Sequence, residues 1–210
     1  MRHTPHYILD DEAEIKRLVR ENPWVTFVSQ PGPGIDDSMV ASHYPALLDD
    51  EADGLALLTH FGRPDEKLHG IGSGRELLMI VQGAHGYVSP SWYADPSDFV
   101  PTWNHVTAHL YGVPEVLTHE QNLAVLERLV DHFEAGMPGA RSLRIDPEAA
   151  SRLAKGTIGF RIPVTRVEAR KKLSQNRTDA DRENVHAHLA GEGRYSHPEL
   201  AGEMARLEHE

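Results

Sequence analysis

The segment GYVSPSWYADPSDFVPTWNHVTAHLYG, residues 86–112, holds two of the chain's three tryptophans. Trp92, Tyr93 and Trp103 combine flat faces with polar tips, and such side chains, once buried, find a hydrogen-bond partner or a planar ligand. Ser89, Ser91, Thr102 and Asn104 set donors and acceptors beside them. A second polar run, KLSQNR at 172–177, strings together Lys172, Ser174, Gln175, Asn176 and Arg177. It supplies an ammonium, a hydroxyl, two amides and a planar guanidinium, an assortment suited to a phosphate. THFGRP adds Arg63 directly after an apolar run. A planar aromatic ligand carrying a phosphate would use all three pieces. An equally weighted reading makes the aromatics a dimer core and the polar run a surface loop.

Other chemistries find little support. The chain has no cysteine, which excludes disulfides, thiol nucleophiles and Cys-ligated metals, and fits a reducing compartment. It contains no P-loop, no G-x-S-x-G and no H-E-x-x-H. GIGSG (70–74) follows a helix-like segment rather than a strand and reads as a turn. The histidines offer no ligand set: His186 and His188 sit two apart on a helix pattern and do not share a face, and His105 and His109 lack a third partner. No metal is expected.

Net charge is −11, which argues against a long polyanion as partner. The charge is uneven, however: from Lys155 to Arg177 there are seven basic residues against one acid, Glu168. Such an island suits one small anion better than a nucleic acid, and direct DNA binding is expected to be absent or weak. The N-terminus lacks the apolar stretch of a signal peptide. No run approaches the roughly 20 apolar residues of a spanning helix. These features lead to the expectation of a cytoplasmic protein with no membrane partner.

The elements that must position these groups follow from periodicity and punctuation. A helix is expected from Asp10 or Asp11 to Arg20, then a strand over 23–30, a turn at PGPGIDD (31–37), and strands over 38–48 and 54–61. PDEKLHGIG reads as a short helix closed by glycine. ELLMIVQGAHGYVS (76–89) reads as a strand passing through a Gly-rich bend into a second strand, and 105–117 as one further strand. THEQNLAVLERLVDHFEAG is the clearest helix, with Thr118 and Gln121 in a capping box, Gly136 at its end, and Leu123, Leu126, Leu129, Val130 and Phe133 as its apolar stripe. A short helix over 147–153 precedes one strand through 157–173. The acidic tail is helical with a break at GEGRYSHP. Many short strands in hairpin order with outlying helices indicate an α+β protein built on a closed antiparallel barrel.

In their order along the chain, ASHYPALL, LLTHFGR, IVQGAHGYVSPSWY, VPTWNHVTAHLYG, GTIGFRIPV and KLSQNR resemble the PaiB-type FMN-binding negative transcriptional regulators of the split-barrel flavoprotein superfamily, from about residue 5 to about 190. The resemblance implies a split β-barrel of antiparallel strands with peripheral helices, a homodimer, and FMN at the subunit interface. It implies a barrel domain over 1–177 and a helical C-terminal extension over 178–210, packed on the barrel or on the partner subunit. The Trp-rich segment would then close the barrel rim beside the flavin ring, held rigid by its prolines. The implied cofactor-binding residues are Ser42, His43, Thr59, His60, Arg63, Lys67, Trp92, Tyr93, Trp103, Asn104, Lys172, Ser174, Gln175, Asn176 and Arg177, with Arg63 and Lys67 on the phosphate. The family's A-T-H-L-P reads Ala41-Ser42-His43-Tyr44-Pro45 here. Its H-x-A-R-A-N-P-x-W reads His60 to Leu68, with Asp65, Glu66 and Leu68 replacing Asn, Pro and Trp. V-P-T-W-N-Y ends in His105. Two other functions stay open beside a regulator: a flavin-dependent oxidoreductase acting on a small molecule, and a haem-binding or haem-degrading split barrel. No catalytic residue is assigned.

Overall fold

The structure is a computed structural model that describes residues 4–30, 38–95 and 97–207. The turn expected at 31–37 lies outside the described residues. Nine strands form one antiparallel sheet: β1 (Ile8–Leu9), β2 (Trp24–Ser29), β3 (Val40–Leu48), β4 (Ala56–Gly62), β5 (Leu77–Val88), β6 (Thr102–Gly112), β7 (Glu115–Val116), β8 (Thr157–Pro163) and β9 (Arg166–Lys172), in the order β1-β9-β6-β5-β2-β3-β4-β8-β7. The ladder has two edges, β1 and β7, where the hairpin order of the strands with outlying helices suggests a closed barrel. Among the described residues six helices accompany it: α1 (Glu12–Glu21), α2 (Arg63–His69), α3 (His119–Glu134), α4 (Pro147–Ala154), α5 (Asp179–Ala190) and α6 (Pro198–Leu207).

The chain divides into two compact units, one formed by 12–81 with 109–167 and the other by 1–11, 82–108 and 168–210. In the first, Phe27, Phe61 and Phe160 meet edge to face around a centre that includes Leu57, Met79 and Ile162, all fully buried. Helix α3 starts at the expected capping box, where Thr118 and Gln121 satisfy each other's backbone amides. Its buried face, however, is Asn122, Val125 and Leu129, while Phe133 is exposed. The stripe was displaced because an asparagine belongs to the buried row. Asn122 donates to the Ala154 carbonyl (3.1 Å) and Thr157 Oγ1 (3.0 Å), tying α3 to α4 and β8. Gly159 makes room for it, since a Cβ there would lie 2.6 Å from Asn122 Oδ1.

In the second unit Val88, Val106, Leu173, Val185, Leu189, Leu200 and Met204 are buried. The tail 178–210 thus contributes α5 and α6 to this core, with the expected break between them. Residues 77–88 form one unbroken strand rather than two. Gly86 serves close packing instead of a bend, because a Cβ would approach Leu200 Cδ2 to 3.0 Å. The single strands expected over 105–117 and 157–173 are each two. The first strand break falls at Pro114, which has no N–H to give the ladder. The second follows Pro163, where Val164 N still reaches the Leu55 carbonyl (2.9 Å) but Thr165 N turns to the Tyr111 carbonyl (2.8 Å).

Candidate functional site

The expected site residues fall into two sets, one in each unit. In the first unit Ser42 and His43 are neighbours on β3, so they point to opposite faces. His43 pairs with Thr26 and stacks on the exposed Trp24 at 6.3 Å. Ser42 pairs with Phe27 and faces inward, where His69 meets it. His69 is almost fully buried, with Nδ1 2.8 Å from Ser29 Oγ and Nε2 3.0 Å from Ser42 Oγ. Burial holds its imidazole below the usual range, against a smaller opposing pull from Asp65. Thr59 is buried and donates to the Pro45 carbonyl at 2.7 Å. His60 is pushed down by burial, and its Nδ1 is buried without a hydrogen-bond partner.

Helix α2 follows β4 directly and places Arg63 and Lys67 one turn apart, both exposed. The two acids between them are already engaged. Tyr44 donates to Asp65, and its oxygen accepts from the Gly62 amide at 3.1 Å. Burial, then Asp65, raises the Tyr44 phenol above its ordinary value, so it stays protonated. Glu66 pairs with Arg63 at 2.8 Å, and Arg63 Nε also reaches the Lys155 carbonyl at 3.4 Å. A phosphate arriving here meets the Lys67 ammonium, which has no ion pair among the described residues, and a guanidinium with donors to spare.

In the second unit, most polar groups of KLSQNR hold the loop itself. Lys172 donates to Thr102 Oγ1 and to the Trp103 carbonyl (2.7 Å). Ser174 adopts φ 67° and bridges to the fully buried Asn104, accepting from Nδ2 (2.9 Å) and donating to Oδ1 (3.2 Å). Gln175 closes on Leu173 N (2.6 Å) and the Lys171 carbonyl. Asn176 is exposed. Arg177 pairs with Asp98 and lies 4.2 Å from the Tyr93 ring centre, while Trp92 stacks on His188 at 4.9 Å. The polar-aromatic segment and the tail therefore lock to each other, while Trp103 keeps most of its indole in the open, 55% exposed, as does Phe99 its ring.

The basic island of the sequence is not one patch. Arg161 pairs with Asp49 (2.6 Å) and Glu115 (3.1 Å), and Arg166 with Glu76 (3.4 Å) while lying over Tyr111. What sequence reasoning missed is a cleft of about 460 Å³ lined by Thr4, Tyr7, Thr102, Trp103, His105, Arg170 and Lys172. Strand alternation through 168–172 signals that Arg170 and Lys172 share a face, but nothing local in sequence brings Tyr7 to them. The Tyr44–Asp65 bond was equally hidden.

Comparison with known proteins supplies a family. Residues 1–166 match a family model described as "Putative FMN-binding domain". The chain is 28% identical over 192 residues to the Protease synthase and sporulation protein PAI 2 of Bacillus subtilis, covering 90% of each. Among solved structures it resembles the FAD and heme binding protein from Mycobacterium smegmatis, with TM-score 0.58, 16% identity, and 89% of this chain and 80% of that one covered. It also resembles the flavocytochrome Anf3 from Azotobacter vinelandii, with TM-score 0.57, 12% identity, and coverage of 88% and 75%. These likenesses establish the split-barrel fold.

Proposed function

The chain belongs to the FMN-binding domain family, and from that membership we propose that it binds FMN through a phosphate held by Arg63 and Lys67. One observation carries this assignment. The acids that this chain places beside the two cations each have a partner within the unit, Asp65 with Tyr44 and Glu66 with Arg63. Neither leaves an uncompensated carboxylate facing the phosphate, so the donor set fits a dianion. His43, exposed beside Trp24, is another expected residue of this unit with unspent donors. When bound, FMN supplies electron and hydride transfer; the protein's part is to bind and orient it.

The same reading makes the protein a cytoplasmic homodimer with the regulatory role that the sequence resemblance implies. Phe99, Val100 and Trp103 are exposed apolar side chains clustered within five residues, a surface that a second copy would cover. With a net charge of −11, regulation through a metabolite or a protein partner is favoured over direct contact with DNA.

The absorption spectrum of the purified protein, reconstituted with excess FMN and desalted, tests the flavin reading. Retained flavin bands support it. A Soret band alone would replace flavin by haem, and the absence of both bands would refute the proposal.

A further inference from the structure

We infer that the cleft between Tyr7, Trp103, His105, Arg170 and Lys172 is a second ligand site, for a small oxyanion attached to a flat ring; it takes Trp103 and Lys172, which the resemblance implies for the cofactor, and neither Arg63 nor Lys67. Its walls combine three nitrogen bases with two aromatic rings in a space of about 460 Å³, within the range of small-molecule pockets. Arg170 is half-buried, its Nε is buried with no hydrogen-bond partner, and its guanidinium carbon stands 5.5 Å from the Tyr7 ring centre. Among the described residues no carboxylate forms an ion pair with Arg170 or Lys172. A buried guanidinium N–H left without an acceptor is costly, and an oxyanion in the cleft would relieve it.

Lys172 has two of its three N–H bonds directed at Thr102 Oγ1 and the Trp103 carbonyl, which fixes the ammonium at the cleft and leaves one donor over. His105 Nδ1 is 3.2 Å from Thr107 Oγ1, so Nε2 is its unused nitrogen. Burial first, then Arg170, Lys172 and His85, pushes the His105 imidazole below its usual range. Burial, then Arg170, does the same to the Lys172 ammonium. Both depressions have the direction expected where positive charge is crowded and uncompensated. Glu168 shares the strand face of Arg170 and Lys172 but does not line the cleft. Trp103 stands at the rim with its indole largely open, beside His85 at 6.3 Å and Tyr87 at 6.3 Å. The cations select an oxyanion, and the open indole favours one carried on a flat ring.

Inorganic phosphate, acetate and benzoate, titrated into the full-length protein by calorimetry and by tryptophan fluorescence, test the site. Saturable binding is expected, with benzoate tighter than acetate. Phosphate tighter than both would mark a phosphate ester as the ligand, whereas benzoate tightest would mark an aromatic carboxylate. Arg170→Gln should weaken binding roughly tenfold or more, the loss of one charge-assisted hydrogen bond. His105→Gln keeps the test decisive should Arg170→Gln fold poorly, and a several-fold loss is expected from it. Arg152→Ala, on α4 and outside both sites, should bind these anions as wild type does, and the FMN titration of Arg63→Ala reads the flavin proposal separately. The inference is overturned if both cleft variants bind like wild type, or if no anion saturates.

Discussion

Tyr44 and Asp65 are joined by a hydrogen bond from phenol to carboxylate. They stand at two of the positions where this chain departs from the family's motifs, Tyr44 in place of Leu and Asp65 in place of Asn. The departures compensate each other. The acid that would otherwise confront a phosphate is turned to a phenol, and the phenol oxygen also receives the Gly62 amide at the start of α2.

That pairing predicts non-additive stabilities. Tyr44→Phe leaves the half-buried Asp65 and the Gly62 amide without their partner and should cost about 1–3 kcal/mol. Asp65→Asn should cost less, since an amide can still accept from the phenol. A double-mutant cycle in urea should show a coupling of at least about 0.5 kcal/mol. Strictly additive losses would mean that the two residues only happen to be adjacent.

Acid should weaken the fold before carboxylates titrate. His60, His69 and His105 all lie below the usual imidazole value, burial being the largest cause for each. In the unfolded chain they return to about 6.5 and bind protons more readily, so stability is full above that pH and is lost as pH falls through the depressed folded values. Thermal melts from about pH 8 to about pH 5.5 should show a falling Tm, with most of the loss below roughly 6.5. A Tm that stays level or climbs over this range would contradict the assignment of neutral, buried imidazoles.

Ser174 combines a left-handed backbone with a hydroxyl that both accepts from and donates to Asn104. Ser174→Ala loses the bonds and keeps the strain, whereas Ser174→Gly loses the bonds and relieves the strain. The glycine variant should therefore be the more stable of the two by about 1 kcal/mol, and both should fall below wild type. Urea midpoints in the reverse order would show that the loop does not depend on this geometry.

Much of the fold was legible because local rules governed it. The capping box of α3, the left-handed Gly70 after α2 and the glycine-rich break in the tail all obey chemistry confined to a few residues. The misreadings share a different cause. Gly86 resembles a bend signal, yet it is demanded by Leu200, more than a hundred residues away. Asn122 breaks the apolar row of α3 because its partners are Ala154 and Thr157. The site repeats this pattern. Arg63 and Lys67 were visible as neighbouring cations, and Glu66, the partner of Arg63, is local to them, but Tyr44, which engages Asp65, comes from β3. The run of basic residues at 155–177 looked like a single patch. Strand alternation and distant acids divide it, leaving Arg170 and Lys172 as the pair that lines the cleft.

The central claim is that Arg63 holds the phosphate of FMN while Glu66 moderates it. Titration by quenching of flavin fluorescence tests it most directly, comparing wild type with Arg63→Ala, Glu66→Gln and the control Arg152→Ala on α4. Arg63→Ala should weaken FMN by about ten- to a hundredfold, one charge-assisted hydrogen bond being worth about 1.5–3 kcal/mol. Glu66→Gln should tighten it by releasing the guanidinium from its 2.8 Å ion pair, and Arg152→Ala should leave it unchanged. Equal affinities for wild type and Arg63→Ala would contradict the account and place the phosphate elsewhere.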